Sequence, residues 1–214
     1  MKKRCFIAGA GEFCESALPV SGDYIIAADG GYAALISRGI TPDLIVGDFD
    51  SLAPDLLSAV LNHPNVIRSS AEKDDTDMML AVRHGMERRY KTFFINGGLG
   101  GRLDQTLANI QILVYIADNG ARGTLFGHGV CVTVIKNGEL RFSRGEAGGT
   151  ISVFSARDKA EGVTLKGLKY PLDDATLTND SPLGVSNEFT GIPAVVSVRE
   201  GTLIVIWDGG SEDK

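Results

Sequence analysis

Short apolar runs alternate with loops of glycine and acid, and then with helical patterns, through the first half of the chain. The runs are Cys5–Ala8, Tyr24–Ala28 and residues 43–46, 65–68 and 92–95. Continuous apolar runs of this length predict strands covered on both faces. Residues 102–118 place Leu103, Leu107, Ile110, Val114 and Ala117 on one helical stripe, and residues 76–89 do the same with Met78, Val82 and Met86. Strand and helix in alternation predict a doubly wound, mostly parallel α/β sheet.

Beyond residue 129 the rhythm changes. Val130–Lys136 is followed by Asn137-Gly138 and a second run at 139–143. Asn-Gly between two such runs predicts a hairpin, because both residues accept positive φ. Residues 150–156, 163–165, 194–199 and 202–207 add short strands rich in Val, Ile, Thr and Phe, and no long helical pattern interrupts them. The expectation is an α/β domain over residues 1–129 and an all-β sandwich over residues 130–214.

The 214 residues are 43% apolar and 22% charged, an ordinary balance for a soluble globular protein. The formal net charge of -6 argues against nucleic acid as a partner, since such binders are normally basic. An acidic protein acting on a polyphosphate needs a cation between its carboxylates and the phosphates. The basic start, Met1-Lys2-Lys3-Arg4, leads into an apolar run too short for a signal peptide. No segment approaches the roughly 20 apolar residues of a membrane span. Cys5, Cys14 and Cys131 are odd in number and form no CxxC pair, which fits a reducing cytoplasm better than a disulfide framework.

In a parallel α/β sheet, ligands bind at the edge where the strands' carboxyl ends emerge. Here every predicted loop on that edge carries glycine, acid or both. In order they are Gly9-Ala10-Gly11-Glu12, Asp29-Gly30-Gly31, Gly47-Asp48-Phe49-Asp50-Ser51, Lys73-Asp74-Asp75-Thr76-Asp77, and Gly97-Gly98-Leu99-Gly100-Gly101-Arg102-Leu103-Asp104. Crowded carboxylates repel unless a cation joins them, and oxygen ligands without Cys or His suit Mg²⁺. Glycines let backbone N–H groups approach an anion, and Arg102 adds a fork suited to phosphate. Each motif also has a plainer reading. Asp50 or Ser51 suits the cap of a following helix, Asp74 and Asp77 suit a capping box, and Asp104 suits a helix-dipole partner.

Other chemistries lack their motifs. There is no GxxxxGK[ST] and no GxSxG, and Cys14 interrupts the dinucleotide fingerprint begun at Gly9-Ala10-Gly11. His63, His84 and His128 share no motif.

Taken together, residues 28–52 (ADGGYAALISRGITPDLIVGDFDSL), 73–82 (KDDTDMMLAV), 97–113 (GGLGGRLDQTLANIQIL) and 181–189 (SPLGVSNEF) closely resemble the thiamine pyrophosphokinase family. The resemblance implies a homodimer that transfers pyrophosphate from ATP to the hydroxyl of thiamine, releases AMP, and binds thiamine in a cleft between subunits. It implies metal ligands Asp48, Asp50, Asp77 and Asp104 for Mg²⁺, and catalytic roles for Asp50, Asp74 and Asp77. ATP contacts would come from Asp29, Gly98, Gly100, Gly101, Arg102 and Asp104. Thiamine contacts would come from Asp74, Thr76, Gln105, Ser186 and Asn187. Gly184 and Val185 stand where some relatives carry hydroxyl residues. Trp207 suits either an aromatic ligand's face or a place in the core or dimer interface. A DxD pair leaves two other enzyme readings open, a Mg-dependent phosphatase and a sugar-nucleotide transferase. A nucleotide or thiamine sensor without turnover is a third alternative.

Overall fold

The computed structural model describes residues 4–50, 52–69, 75–143 and 147–209. The chain divides into two compact units, residues 1–112 with 125–128, and residues 113–124 with 129–214.

The first unit is built on parallel strands in the order β5-β1-β2-β3-β4. These are β1 (Cys5–Ala8), β2 (Tyr24–Ala28), β3 (Leu44–Gly47), β4 (Val66–Arg68) and β5 (Thr92–Asn96), and their limits lie within one residue of the predicted runs. Between them stand α1 (Gly31–Ile36), α2 (Pro54–Leu61) and α3 (Asp77–Glu87). α4 (Leu103–Asp118) leads into β6 (Arg122–Gly127), which lies beside β5 and which the sequence pattern did not separate from its surroundings.

Alternation along the strands explains why helices cover both faces. Phe6, Ala8, Ala27 and Ile45 point to one side, where they pack with Tyr32 and Leu35 of α1 and Val60 of α2. On the opposite side Gly85 of α3 lies so close to Phe93 and Cys5 that an added Cβ would stand 2.6 Å from the Phe93 ring and 3.0 Å from the Cys5 sulfur. Burial pushes the Cys5 thiol up to about 12, so it behaves as a core atom and not as a nucleophile.

α4 departs from the expected stripe. Its buried positions are Asn109, Ile112, Leu113 and Ile116, an i, i+3, i+4, i+7 set one step round the helix from the predicted one. Leu103 is 82% exposed and Leu107 57% exposed. The apolar stripe is wider than the face that the core covers.

The second unit is antiparallel. One row runs β12-β9-β14-β7 and the other β11-β10-β13-β8. The strands are β7 (Val130–Lys136), β8 (Glu139–Phe142), β9 (Thr150–Ser155), β10 (Lys159–Lys166), β11 (Leu172–Thr178), β12 (Asn187–Glu188), β13 (Ala194–Ser197) and β14 (Thr202–Asp208). Asn137 takes φ 45 between β7 and β8, but the expected hairpin does not form: β7 pairs with β14 and β8 with β13, in different rows, and the Asn137 N–H donates to the Gly201 carbonyl at 3.1 Å. Trp207 is 7% exposed and meets the Phe142 ring edge-on at 5.5 Å, which gives it a core role. No helix among the described residues is long and apolar enough to cross a membrane.

Candidate active site

The carboxyl ends of β1, β2, β3, β4 and β5 open on one edge, because these strands are parallel. The loops there are tied to each other. The Asp29 N–H donates to the Val46 carbonyl at 2.7 Å, and the Ser69 N–H donates to the Gly47 carbonyl at 2.9 Å. The Ser69 hydroxyl then donates to Asp77 Oδ1 at 2.9 Å. Asp29 and Asp77, 48 positions apart in the chain, are thereby referred to the end of the same strand.

The GDFD segment is shaped by its aromatic residue. Phe49 is 2% exposed and adopts φ 64. Left-handed backbone is costly for a bulky side chain, so burial of the ring must hold it there. Asp48 and Asp50 flank this bend, and the Asp50 N–H donates to Asp48 Oδ1 at 3.2 Å. Asp50 does not cap α2. Ala53 is the N-cap, with Pro54 opening the helix, while Ser51 lies outside the described residues.

At α3 the cap is Thr76, whose Oγ1 accepts the Met79 N–H at 3.2 Å. Asp77 stands in the first turn, where the helix dipole favours a carboxylate. Asp75 pairs with Arg83 at 2.9 Å. Asp74 lies outside the described residues.

The glycine loop after β5 is braced on both sides. Gly11 N–H donates to the Gly97 carbonyl at 2.8 Å, and Asn109 Nδ2 donates to the Gly98 carbonyl at 2.8 Å. Gly97, Gly100 and Gly101 take φ 70, 82 and 62, which only glycine adopts without strain. Arg102 turns onto Asp104, with Nε–Oδ1 3.1 Å and Nη2–Oδ2 2.6 Å. The Arg102 hydrogen bond holds the Asp104 carboxyl below the usual carboxylate range. Gln105 is exposed one residue further along α4.

Among the described residues, no three His, Cys, Asp or Glu side chains stand together as a ready-made metal cage. Carboxylates without a counter-ion spread apart, and Mg²⁺ needs one or two protein carboxylates, with waters and phosphates completing its shell. The donors on this edge are all carboxylate oxygens, which fits a hard cation.

Ser186 and Asn187 belong to the second unit. Ser186 is exposed at φ 56. Asn187 is 3% exposed, and its carboxamide is engaged by backbone: Oδ1 accepts from Tyr170 N–H and Glu188 N–H, both at 2.9 Å, and Nδ2 donates to Tyr170 O at 2.6 Å. Gly184 explains the missing hydroxyl residue at its position, since a Cβ there would stand 2.2 Å from the Val153 carbonyl. Sequence reasoning missed Ser69, Asn96 and Asn109. The available signal was a polar residue interrupting an apolar run, as Asn96 does after Phe93-Phe94-Ile95.

Acids and glycines at the ligand edge of a parallel sheet, followed by antiparallel β layers, give an α/β protein whose candidate site suits a polyphosphate carried with a hard cation. The sequence matches "Thiamin pyrophosphokinase, catalytic domain" over residues 18–125 and "Thiamin pyrophosphokinase, vitamin B1 binding domain" over residues 138–203. It is 31% identical over 182 residues to thiamine pyrophosphokinase of Bacillus subtilis, covering 85% of each chain. The crystal structure of thiamine pyrophosphokinase from Bacillus subtilis superposes with TM-score 0.87 at 27% identity, covering 98% of this chain and 100% of that one. The enzyme of the same name from Geobacillus thermodenitrificans gives 0.82 at 27% identity, covering 98% and 99%. The chain belongs to the thiamin pyrophosphokinase family. That membership does not favour the phosphatase, sugar-nucleotide transferase or sensor readings.

Proposed function

We propose that the chain transfers the pyrophosphoryl group of ATP to the hydroxyl of thiamine, giving thiamine diphosphate and AMP. The observation that carries this reading is the tied set of acid- and glycine-bearing loops on one sheet edge, in a chain of this family. Asp48, Asp50, Asp77 and Asp104 are the residues that would hold Mg²⁺. When bound, Mg²⁺ neutralises polyphosphate charge and makes the β-phosphorus more electrophilic.

The protein's own groups supply binding and orientation. N–H groups of Gly98, Gly100 and Gly101 donate to phosphate oxygens. Arg102 exchanges Asp104 for phosphate, which an exposed ion pair permits at little cost. Asp29 contacts the nucleotide from the end of β2. The thiamine oxygen attacks the β-phosphorus in line, the bond from that phosphorus to the α,β-bridging oxygen breaks, and AMP leaves with the electron pair. Asp74 or Asp77 receives the hydroxyl proton. Ser69 orients Asp77 for this role through the hydrogen bond to Oδ1. Asp50, exposed on the bend beside Asp48, is the other acid of the catalytic set.

Ser186 and Gln105 are exposed and suit direct thiamine contact. Thr76 and Asn187 act by holding backbone, Thr76 at the start of α3 and Asn187 at Tyr170. The homodimer reading is supported by Leu103 and Leu107, which share one exposed face of α4. Cys5, Cys14 and Cys131, all buried and in no disulfide, support a cytoplasmic location. Incubation with ATP, thiamine and Mg²⁺ tests the activity. AMP and thiamine diphosphate form in equal amounts and neither forms when EDTA removes the cation. ADP or inorganic phosphate as the product overturns the assignment. Sedimentation equilibrium tests the dimer.

A further inference from the structure

Asn96 closes β5 with 0% exposure, in a strand otherwise made of Thr92, Phe93, Phe94 and Ile95. A carboxamide has two acceptor lone pairs and two N–H donors. Asn96 uses all four. Its Oδ1 accepts from the Cys14 N–H and the Gly97 N–H, each at 2.8 Å. Its Nδ2 donates to the carbonyls of Cys14 and Ala17, each at 2.8 Å. Nothing is left over for a substrate, so any part it plays in the reaction passes through the backbone it holds.

That backbone is the phosphate loop and its neighbour. The loops after β1 and β5 run together through Gly9 N–H to Asn96 O at 2.7 Å, Gly11 N–H to Gly97 O at 2.8 Å and Glu12 N–H to Leu99 O at 3.3 Å. A Cβ on Gly97 would stand 2.4 Å from the Gly9 carbonyl oxygen, so the two backbones touch with no space between them. Asn96 is the side chain at the base of this seam, and it is the group that fixes the direction in which Gly97 leaves the strand.

We propose that Asn96 is a positioning residue for phosphate transfer: it clamps residues 14–17 to Gly97 and so aims the N–H groups of Gly98, Gly100 and Gly101. This rests on the reading of the glycine loop as the phosphate site. Asn96→Asp is isosteric and still accepts the two N–H groups, but it faces the Cys14 and Ala17 carbonyls with no donor. Those carbonyls move away and take the seam with them. Loop misplacement of this kind costs about tenfold to a hundredfold in productive ATP binding.

The test compares Asn96→Asp with Val82→Ala, a core truncation on the buried face of α3, and with Gly101→Ala, which strains the loop itself at φ 62. Melting temperature and KM for each substrate are measured. The expected result is that Asn96→Asp and Gly101→Ala raise the ATP KM while the thiamine KM stays within about twofold. Val82→Ala lowers the melting temperature without moving the ATP KM. If Gly101→Ala raises the ATP KM and Asn96→Asp does not, the clamp is overturned and the phosphate-loop reading stands. If neither variant moves it, both are overturned. Should Asn96→Asp fail to fold, hydrogen exchange of the unmodified protein decides. A nonhydrolysable ATP analogue with Mg²⁺ slows exchange at residues 14–17 together with 97–101. Slowing at 97–101 alone overturns the clamp.

Discussion

Gly47 stands with its α-carbon wedged between the Asp29 backbone and the Phe49 ring: a methyl there would lie 3.1 Å from Asp29 Cα and 2.9 Å from Phe49 Cε1. Because Phe49 is itself buried at 2% exposure, neither neighbour yields without moving an acid of the site. Gly47→Ala therefore displaces Asp29, or else Asp48 and Asp50. Overpacking of this kind costs about 1–3 kcal/mol. Urea unfolding checks that loss, and turnover falls by more than the unfolded fraction explains.

Asp50→Asn and Asp77→Asn remove charge and keep shape. Asparagine at position 77 still accepts from Ser69, and position 50 is exposed. Both variants fold with a near-native circular dichroism spectrum and lose about a hundredfold or more in AMP formation. Normal turnover in both variants would remove the acidic site from the mechanism.

Ser186 and Asn187 adjoin in sequence and separate in role. Ser186→Ala leaves the melting temperature in place and raises the thiamine KM. Asn187→Ala strips partners from both Tyr170 backbone groups, a loss of about 1–3 kcal/mol. Its melting temperature falls first, and scanning calorimetry beside thiamine titration separates the two effects.

Asp118 gives a pH-dependent stability. It ends α4, where a carboxylate meets the negative end of the helix dipole, and it is held there by Lys136 at 2.7 Å and Arg157 at 2.6 Å. The Lys136 hydrogen bond, with Arg157 beside it, holds its carboxyl below the ordinary aspartate range. A depressed folded-state value means that the contribution is present above the unfolded value and is lost as pH falls through the folded one. Asp118→Asn costs about 1 kcal/mol at neutral pH and flattens the fall in melting temperature below about pH 4.

β1, β2, β3 and β5 were legible because each is an apolar run met by glycine or acid. The Asn137-Gly138 hairpin was misread: its turn chemistry is local, but β7 and β8 take their partners from the distant strands β14 and β13. β11 escaped because Asp173 and Asp174 break its alternation; it pairs only with β10, at the edge of its row, where charged residues are common. β6 escaped because Gly123 and Gly127 bracket its apolar core like a turn. On α4 the pattern shows which positions are apolar but not which of them the core covers, and Leu103 and Leu107 lie outside that face. In the site, loop composition pointed to the acids and glycines. The supports did not show, because Ser69, Asn96 and Asn109 act through hydrogen bonds whose partners are 8, 82 and 11 positions away.

Labelled ATP tests the central claim most directly. With the label in the β-phosphate, turnover in the presence of thiamine and Mg²⁺ carries it into thiamine diphosphate and leaves the AMP unlabelled. Label appearing in ADP, with a single phosphate on thiamine or none, would contradict pyrophosphoryl transfer by this site.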